Sequence, residues 1–339
     1  MPVRLKDIAR DLNLSKMTIS KVLRGQTDVS ADTKARVLQR AKELNYRPNT
    51  TARTLRTGQT FMIGMVVPAI GETFLAEITE GIDQVIRSAG YGLMVCPSQQ
   101  DPKNEERLVE LMLSRQVDAI LVAPMDESAP LFERLGKNQT VPLICLNRRL
   151  SGPSENFVGI NEQEVGRVAC EHLLAMGSRR IGYLRGPHTP VGDNRYLGYR
   201  EALTNADHAF HPELVIDAMG TDCSDYTRGF EGMLKLLMGR TRPDGVMAYS
   251  DIMAVGAIDA ALSRNIKIPE GIAFVGCGND PMVCEMRVPL SSVVLPGQEV
   301  GQRAARMALR LIANPGKAEN RKIFISPKLV ERKSSMRCR

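Results

Sequence analysis

A short run near the amino terminus carries side chains that suit contact with nucleic acid. A lysine or arginine donates hydrogen bonds to phosphates or guanine edges, a hydroxyl bonds phosphate or base, and a methionine contacts a thymine methyl. The run supplies Ser15, Lys16, Met17, Thr18, Ser20, Lys21 and Arg24. If residues 16–23 form a helix, Ile19 and Val22 point inward and the polar side chains stay outward, which predicts a DNA-contacting face.

Three short helices are predicted to position this run. Leu5, Ile8 and Leu12 recur at helical spacing, Ser15 is placed to cap a second helix, and a third begins near Ser30. The buried side of the third helix is predicted to hold Val37, Leu38, Ala41 and Leu44. This order is typical of a helix-turn-helix, whose second helix fits the major groove. Small three-helix units also serve as plain protein-binding modules, and the pattern alone leaves that alternative open.

Positive charge is concentrated in the first 58 residues. They hold 13 Lys and Arg but only 5 Asp and Glu, a net charge of +8, whereas the whole chain carries +7. The rest of the chain is therefore nearly neutral. A polyanion is the natural partner of such a basic head, because clustered Lys and Arg displace counterions from phosphates. A solvated basic face would explain the charge equally well.

The composition narrows the class of protein further. With 43% hydrophobic and 24% charged residues, the 339-residue chain is typical of a globular protein of two or three domains. No run approaches the ~18 apolar residues of a membrane helix, and no apolar run follows residues 1–6, so neither a membrane span nor a secretory signal is expected. The seven cysteines form no C-x-x-C pair, and such a scattered set suits reduced thiols in a cytoplasm.

Motifs for catalysis or cofactor binding are missing from the sequence. There is no G-x-G-x-x-G, no phosphate loop, no G-x-S-x-G and no H-E-x-x-H. The four histidines are too dispersed for a metal site or a catalytic pair, and no acidic residues pair for acid–base work. We therefore predict a protein that is not an enzyme and has neither a cofactor nor a metal.

From Phe61 onward, short apolar runs alternate with longer amphipathic ones. Residues 61–67 predict a buried strand, and Phe74, Ile78 and Ile82 begin a helix that Gly90 ends. Further strands are predicted at 92–96, 119–123, 142–146, 180–184, 245–249 and 273–276, and helices at 103–114, 130–135, 165–176, 225–238 and 252–263. This rhythm predicts two similar α/β subdomains with mostly parallel sheets, and the crevice between them is the expected small-molecule site.

Several motifs together resemble one family. In the head they are Leu5-Lys-Asp-Ile-Ala, Ser15-Lys-Met-Thr-Ile-Ser-Lys-Val-Leu-Arg-Gly25 and Leu44-Asn-Tyr-Arg-Pro-Asn49. In the body they include Gly64-Met-Val-Val-Pro, Ser250-Asp251, Pro289-Leu-Ser-Ser-Val and Leu329-Val-Glu-Arg. The chain resembles the LacI (lactose repressor) family of transcriptional regulators. The resemblance implies an all-α helix-turn-helix head and an α/β core like that of periplasmic binding proteins, built from two doubly wound parallel-sheet subdomains.

The resemblance also implies a domain layout. Residues 1–46 would form the DNA-binding domain, 47–59 a hinge helix or linker, and 60–339 the effector-binding and dimerisation core. Within the core, the chain would cross between subdomains near 160–163, 289–293 and 323–328. One subdomain would then hold about 60–160 and 293–323, and the other about 163–289 and 328–333.

The hinge segment is expected to add DNA contacts. In the family, paired hinge helices enter the minor groove and wedge leucines into a central base step, and arginines beside the wedge reach phosphates. The contacts implied here are Asn49, Arg53, Leu55 and Arg56. About nine residues are too few for a stable isolated helix, so the hinge would order only on DNA. Pro48 and Gly58 would equally allow a flexible linker.

Motif positions in the core imply a set of effector contacts. They are Phe74, Asn147, Arg195, Ser250, Asp251 and Asn279. Arg195 matches an effector-contacting arginine of the family, and its guanidinium suits a carboxylate, a phosphate or a diol. Gly278 stands where the family has an acid, which leaves Asn279 or Asp280 as substitutes and the effector class open. Polar residues at strand ends also cap helices or satisfy turns, so a structural role is the alternative for each.

The sequence thus predicts a cytoplasmic, nucleoid-associated regulator, expected to be a repressor, that binds a pseudo-palindromic operator in double-stranded DNA as a homodimer. Two heads are needed because one makes too few base contacts for tight specificity. A dimer rather than a tetramer is expected because no apolar heptads follow Ser334. A small-molecule effector, a sugar or sugar-like metabolite, would act in the cleft. The alternative is a solute-binding or sugar-processing protein with the same core, which the basic head and the missing catalytic motifs disfavour.

Overall fold

The structure is a computed structural model that divides into two compact units, Met1–Thr60 and Phe61–Arg339. It describes residues 3–23, 28–46, 54, 57–125, 130–132, 141–149, 156–217, 224–315 and 320–337. We call the first unit the head and the second the body. No helix among these residues is long and apolar enough to cross a membrane.

Three helices form the head: α1 (Leu5–Leu12), α2 (Lys16–Leu23) and α3 (Ala31–Glu43). Their shared core holds the buried side chains Ile8, Ala9, Ile19, Val22, Val37 and Ala41. The α2 helix begins where Ser15 Oγ accepts a hydrogen bond from the Thr18 backbone N–H at 3.0 Å. Leu38, predicted to be buried, is instead 47% exposed, because the buried stripe of α3 passes through Val37 and Ala41.

The body contains two six-stranded sheets. The first holds β1 (Met62–Val67), β2 (Gly92–Pro97), β3 (Ala119–Val122), β4 (Leu143–Leu146), β5 (Asn156–Ile160) and β11 (Lys322–Ile325). The second holds β6 (Ile181–Arg185), β7 (Val215–Asp217), β8 (Gly245–Ala248), β9 (Ala273–Gly278), β10 (Ser291–Val294) and β12 (Lys328–Val330). The strand orders are β2-β1-β3-β4-β5-β11 and β7-β6-β8-β9-β10-β12, so the two sheets repeat one topology. Strand β12 runs antiparallel to β10, and the other pairings of the described strands are parallel, in line with the prediction of mostly parallel sheets.

Helices connect the strands of both sheets. They are α4 (Thr73–Ser88), α5 (Pro102–Ser114), α6 (Glu162–Ala175), α7 (Pro190–Asn205), α8 (Asp225–Met238), α9 (Asp251–Ser263) and α10 (Gly297–Ala313). Helix α6 packs on the second sheet, whereas α10 returns to the first and packs beside α4. We call the first sheet with α4, α5 and α10 the first subdomain, and the second sheet with α6 to α9 the second subdomain.

The chain passes between the subdomains three times. The passages lie after Ile160, after Val294 and after Ile325, where a strand of one sheet is followed by an element of the other subdomain. The second passage lies just beyond the predicted stretch 289–293. Residues 291–294 form β10, whose backbone pairs with both β9 and β12 and keeps it in the second sheet.

Glycines allow three pairs of helices to approach closely. A Cβ on Gly166 of α6 would lie 1.9 Å from the Arg195 carbonyl oxygen, and one on Gly198 of α7 would lie 1.8 Å from the Gln163 carbonyl oxygen. The α4–α10 and α8–α9 pairs show the same arrangement at Gly81, Gly301, Gly229 and Gly256. In each pair the backbones pack at distances that exclude any side chain, which holds the helices in fixed register.

Candidate functional site

The outward face of α2 is the candidate nucleic-acid interface of the head. Ser15, Lys16 and Met17 are exposed, Met17 by 69%, while Thr18, Ser20 and Lys21 are half-buried. The Ser15 and Thr18 hydroxyls also bond each other at 2.8 Å, and the Lys21 ammonium pairs with the Asp28 carboxylate. Lys16 and Met17 are therefore exposed long side chains on this face. The other predicted DNA contacts lie outside the described residues: Arg24, Asn49, Arg53, Leu55 and Arg56.

Carboxyl ends of strands from both sheets lie close together between the subdomains, and we call this region the cleft. On one side α4 begins at Thr73, and on the other a turn follows β9. The Thr73 Oγ1 hydroxyl donates to Asp280 Oδ2 at 2.8 Å, so the two subdomains are in contact at this point. This is the position at which open α/β sheets bind ligands.

Two predicted effector contacts meet at one unpredicted residue, Glu162. Asn147, which directly follows β4 in the first subdomain, donates from Nδ2 to Glu162 Oε1 at 3.0 Å. Arg195 of α7 in the second subdomain donates from Nε to Glu162 Oε2 at 2.6 Å. Asn147 Oδ1 in turn accepts the Ile160 backbone N–H at 3.0 Å. Glu162 is the first residue of α6, directly after the first passage, and its carboxylate thus links both subdomains.

Arg195 also contacts the end of β8. Its Nη1 donates to the Tyr249 carbonyl oxygen at 2.7 Å, and its guanidinium lies 4.6 Å from the centre of the Tyr249 ring. Gly186 backs the same ring, since a Cβ there would lie 2.3 Å from it. Burial would lower the pKa of the Arg195 guanidinium, but nearby acidic groups, Cys277 and Glu162 among them, raise it above its ordinary value. Arg195 is therefore a charged side chain that is 5% exposed.

Ser250 and Asp251 belong to a second hydrogen-bonded group. Ser250 Oγ donates to Asp225 Oδ2 at 2.8 Å and caps α9 by accepting the Met253 N–H. Asp251 is 2% exposed, and its two oxygens accept from the Ser292 hydroxyl at 2.6 Å and the Asp280 N–H at 2.8 Å. Burial raises the pKa of Asp251, although these two hydrogen bonds oppose the rise. Both carboxylate oxygens are thus occupied within the protein.

Asn279 and Phe74 complete the predicted set. Asn279 lies beside the Asp251 group, because its backbone N–H donates to Ser292 Oγ at 2.9 Å. Its Oδ1 accepts from Arg332 Nη2 at 2.7 Å, and its φ of 56° places it in the left-handed region that asparagine tolerates. Phe74 is half-buried at the start of α4 and packs against the body core. The structure thus joins Asn147 with Arg195, and Ser250, Asp251 and Asn279 with one another.

Charged side chains that the sequence did not single out also interact across the cleft. Burial raises the pKa of Glu72, the nearby Asp225 carboxylate raises it further, and Arg148 opposes the rise. Glu72 and Arg148 belong to the first subdomain and Asp225 to the second. Tyr249 and Arg148 could have been predicted as residues of the cleft, because each is next to a predicted contact at a strand end. Glu162 gave no such signal, because an acid in the first turn of a helix is common.

A helix-turn-helix head joined to a two-sheet α/β body defines a DNA-binding transcriptional regulator. The family model "Bacterial regulatory proteins, lacI family" matches residues 4–49, and the model "Periplasmic binding protein-like domain" matches residues 170–335. The chain is 30% identical over 331 residues to the HTH-type transcriptional repressor PurR of Mannheimia succiniciproducens, covering 97% of this chain and 98% of that protein. It is also 30% identical to the ribose operon repressor of Haemophilus influenzae, with the same two coverages. The chain belongs to the lacI family.

Solved structures agree with this assignment. A complex of the transcriptional regulator CelR with cellobiose matches with a TM-score of 0.73 and 26% identity, covering 98% of this chain and 99% of that one. The lac repressor dimer bound to operator and the anti-inducer ONPF matches with a TM-score of 0.85, 99% and 100% coverage and 23% identity. At that identity the second match shows the fold alone. The fold predicted from the sequence, a helix-turn-helix head and a periplasmic-binding-protein-like core, is confirmed.

Proposed function

We propose that this protein is a transcriptional repressor that binds a pseudo-palindromic operator as a homodimer. The observation that carries the proposal is the exposure of Lys16 and Met17 on a capped helix whose opposite face builds the head core. Thr18, Ser20 and Lys21 flank them, and Ser15 starts the helix. Relatives named as repressors, and a similar structure solved as an operator-bound dimer, support the same function.

A small molecule in the cleft is proposed to control DNA binding. Its contacts would come from the Glu162-linked group, the Ser250 group and Phe74, with Tyr249 and Arg148 as additional residues. A similar structure was solved as a cellobiose complex, which supports a sugar or sugar-like effector. Because the cleft lies between two subdomains, an effector that favours one relative angle would couple to the heads by an expected ~1–3 kcal/mol.

The protein is proposed to act without catalysis, in the cytoplasm at the nucleoid. Two of its cysteines, Cys170 and Cys277, are buried and have unreactive thiols. Burial raises the pKa of the Cys277 thiol to about 12, and burial likewise raises the pKa of Cys170. Both thiols therefore stay protonated at neutral pH. The His172–Ser335 contact of 2.6 Å resembles part of a catalytic pair, but both side chains are buried and substrate has no access to them.

Selection from random duplex DNA tests the operator proposal. Full-length protein is expected to enrich a site of two inverted half-sites, bound at least about a thousandfold more tightly than random DNA. Lys16→Ala should relax base preference at one position of each half-site, at a cost of about 1–3 kcal/mol on the selected site. The measurement is an equilibrium binding titration on selected and random duplexes at fixed salt.

Lys42→Ala is the matched control, because Lys42 is exposed on α3 and its loss removes the same charge. Lys42→Ala should weaken binding to the selected and the random DNA by a similar, small factor, because it loses attraction to phosphates. If Lys16→Ala, like Lys42→Ala, lowers the affinity for selected and for random DNA by the same factor, α2 does not read the bases. Enrichment of no sequence at all would contradict the repressor proposal itself.

A further inference from the structure

Protein groups already use two of the five N–H donors of the Arg195 guanidinium. Its Nε donates to Glu162 and its Nη1 to the Tyr249 carbonyl, and one face lies on the Tyr249 ring. Within the part of the chain that the structure describes, Nη2 donates to no protein acceptor. Three of its five N–H groups, one on Nη1 and two on Nη2, therefore remain for a ligand, whereas Glu162 already occupies the Nε edge that could pair side-on with a carboxylate or phosphate.

The positive charge of Arg195 is also paired, with the carboxylate of Glu162. The side chains of Arg195 and Glu162 are 6% and 4% exposed, and the Nε to Oε2 distance is 2.6 Å. In such a buried environment the two opposite charges act on each other with little screening. An anionic ligand brought to Arg195 would meet the Glu162 carboxylate beside the same cation, so attraction and repulsion would largely cancel.

Glu162 has little freedom to move aside for an anion. Its other oxygen accepts from Asn147, whose carbonyl oxygen is itself held by the Ile160 N–H. The α6 and α7 helices that carry Glu162 and Arg195 are locked together by Gly166 and Gly198. Elsewhere in the cleft, Glu72 and Asp225 interact across the gap, where Arg148 opposes their effect and Arg228 pairs with Asp225 at 3.1 Å.

We propose that Glu162 is a specificity-determining residue that restricts the effector to compounds presenting an uncharged hydroxyl or carbonyl to Arg195. Carboxylate and phosphate groups are excluded at this position. The inference rests on the proposed function, because it assigns the effector site to this cleft. It narrows the effector to neutral compounds, such as unmodified sugars or nucleosides, and rejects sugar acids and phosphosugars.

The test uses inorganic phosphate as the probe and the full-length protein as wild type, Glu162→Gln and Glu164→Gln. Glutamine keeps the size of the side chain at residue 162 and removes the charge, so Arg195 gains an unpaired positive charge. Glu164 is the matched control, because it lies on the same helix and pairs with Arg167 rather than with Arg195. Isothermal titration and thermal unfolding in increasing phosphate report binding by mass action.

Phosphate is expected to bind Glu162→Gln at least tenfold more tightly than wild type or Glu164→Gln. Equal phosphate affinity in all three proteins, or no gain in Glu162→Gln, would overturn the proposal. If Glu162→Gln does not fold, the test uses the wild-type protein alone. Its thermal unfolding is then compared in glucose, glucose 6-phosphate and gluconate. Stabilisation by either anion beyond that by glucose overturns the proposal, and its absence supports it. Operator binding by wild type is measured in parallel, so failure of the repressor function is recognised separately.

Discussion

Replacing Gly198 by alanine tests whether close backbone packing between α6 and α7 sets the geometry of the cleft. The new Cβ would lie 1.8 Å from the Gln163 carbonyl oxygen and 2.8 Å from the Arg167 nitrogen, both of them backbone atoms of α6. Ordinary carbon–oxygen contact is about 3.5 Å, so the helices would have to separate by more than 1 Å. The Glu162–Arg195 contact spans the same two helices and would lengthen with them.

The expected cost follows from two opposing effects. Overpacking a close-packed interface costs about 1–3 kcal/mol, and the upper end applies because a helix backbone cannot rotate away. Alanine gains about 1 kcal/mol over glycine in a helix interior, which leaves a net loss of about 2 kcal/mol. At roughly 2–4 °C per kcal/mol for a unit of this size, the Tm of the body should fall by about 4–8 °C.

Thermal and urea unfolding followed by far-ultraviolet circular dichroism measures this loss. Gly71→Ala is the matched control, because nothing lies within 4 Å of its Cβ position and its φ is not in the left-handed region. That variant should be neutral or more stable by under about 1 kcal/mol, through the reduced entropy of the unfolded chain. A Gly198→Ala protein as stable as Gly71→Ala would refute the packing argument.

Two further predictions concern the head and the body core. Ile19 is fully buried in the small head core, so Ile19→Ala should lower the free energy of unfolding by about 2–5 kcal/mol and unfold the head. Met17 is exposed, and Met17→Ala should leave the head folded. An NMR spectrum of a folded head in Ile19→Ala would contradict this prediction. Burial lowers the pKa of His172 below that of the unfolded chain, so protons bind the unfolded state preferentially below about pH 6.5. Stability should therefore fall as the pH drops through that value. Urea titrations should show a weaker fall in His172→Gln, and an equal fall in both proteins would rule out His172 as the cause.

The head was largely predictable because its determinants are local. The spacing of Ile8, Ile19 and Val22 marks the faces of the helices, and Ser15 and Ser30 mark where helices begin. The error at Leu38 has a simple cause. Adjacent residues in a helix point about 100° apart, so one side chain of the Val37-Leu38 pair can fall outside the buried stripe, and tertiary packing decides which.

Helix α7 shows why part of the body escaped prediction. Its buried face includes Gly192, Arg195 and Gly198 among its apolar residues, so the expected apolar period is absent. The small residues of α7 allow close contact with α6, and the buried Arg195 is tolerated because its charge pairs with Glu162. Neither partner can be recognised from the α7 segment alone.

The sequence by itself determined the class of protein: the head pattern and its charge, the alternation of strands and helices, and the family. It also pointed to Arg195 and Asn147 as residues of the cleft. Only the tertiary structure decided what those side chains can do. Glu162 lies 33 residues from Arg195 in the chain, and their pairing exists because two glycine-bearing helices pack in contact. Local patterns are set by neighbours along the chain, whereas the charge left available to a ligand depends on residues that folding brings together.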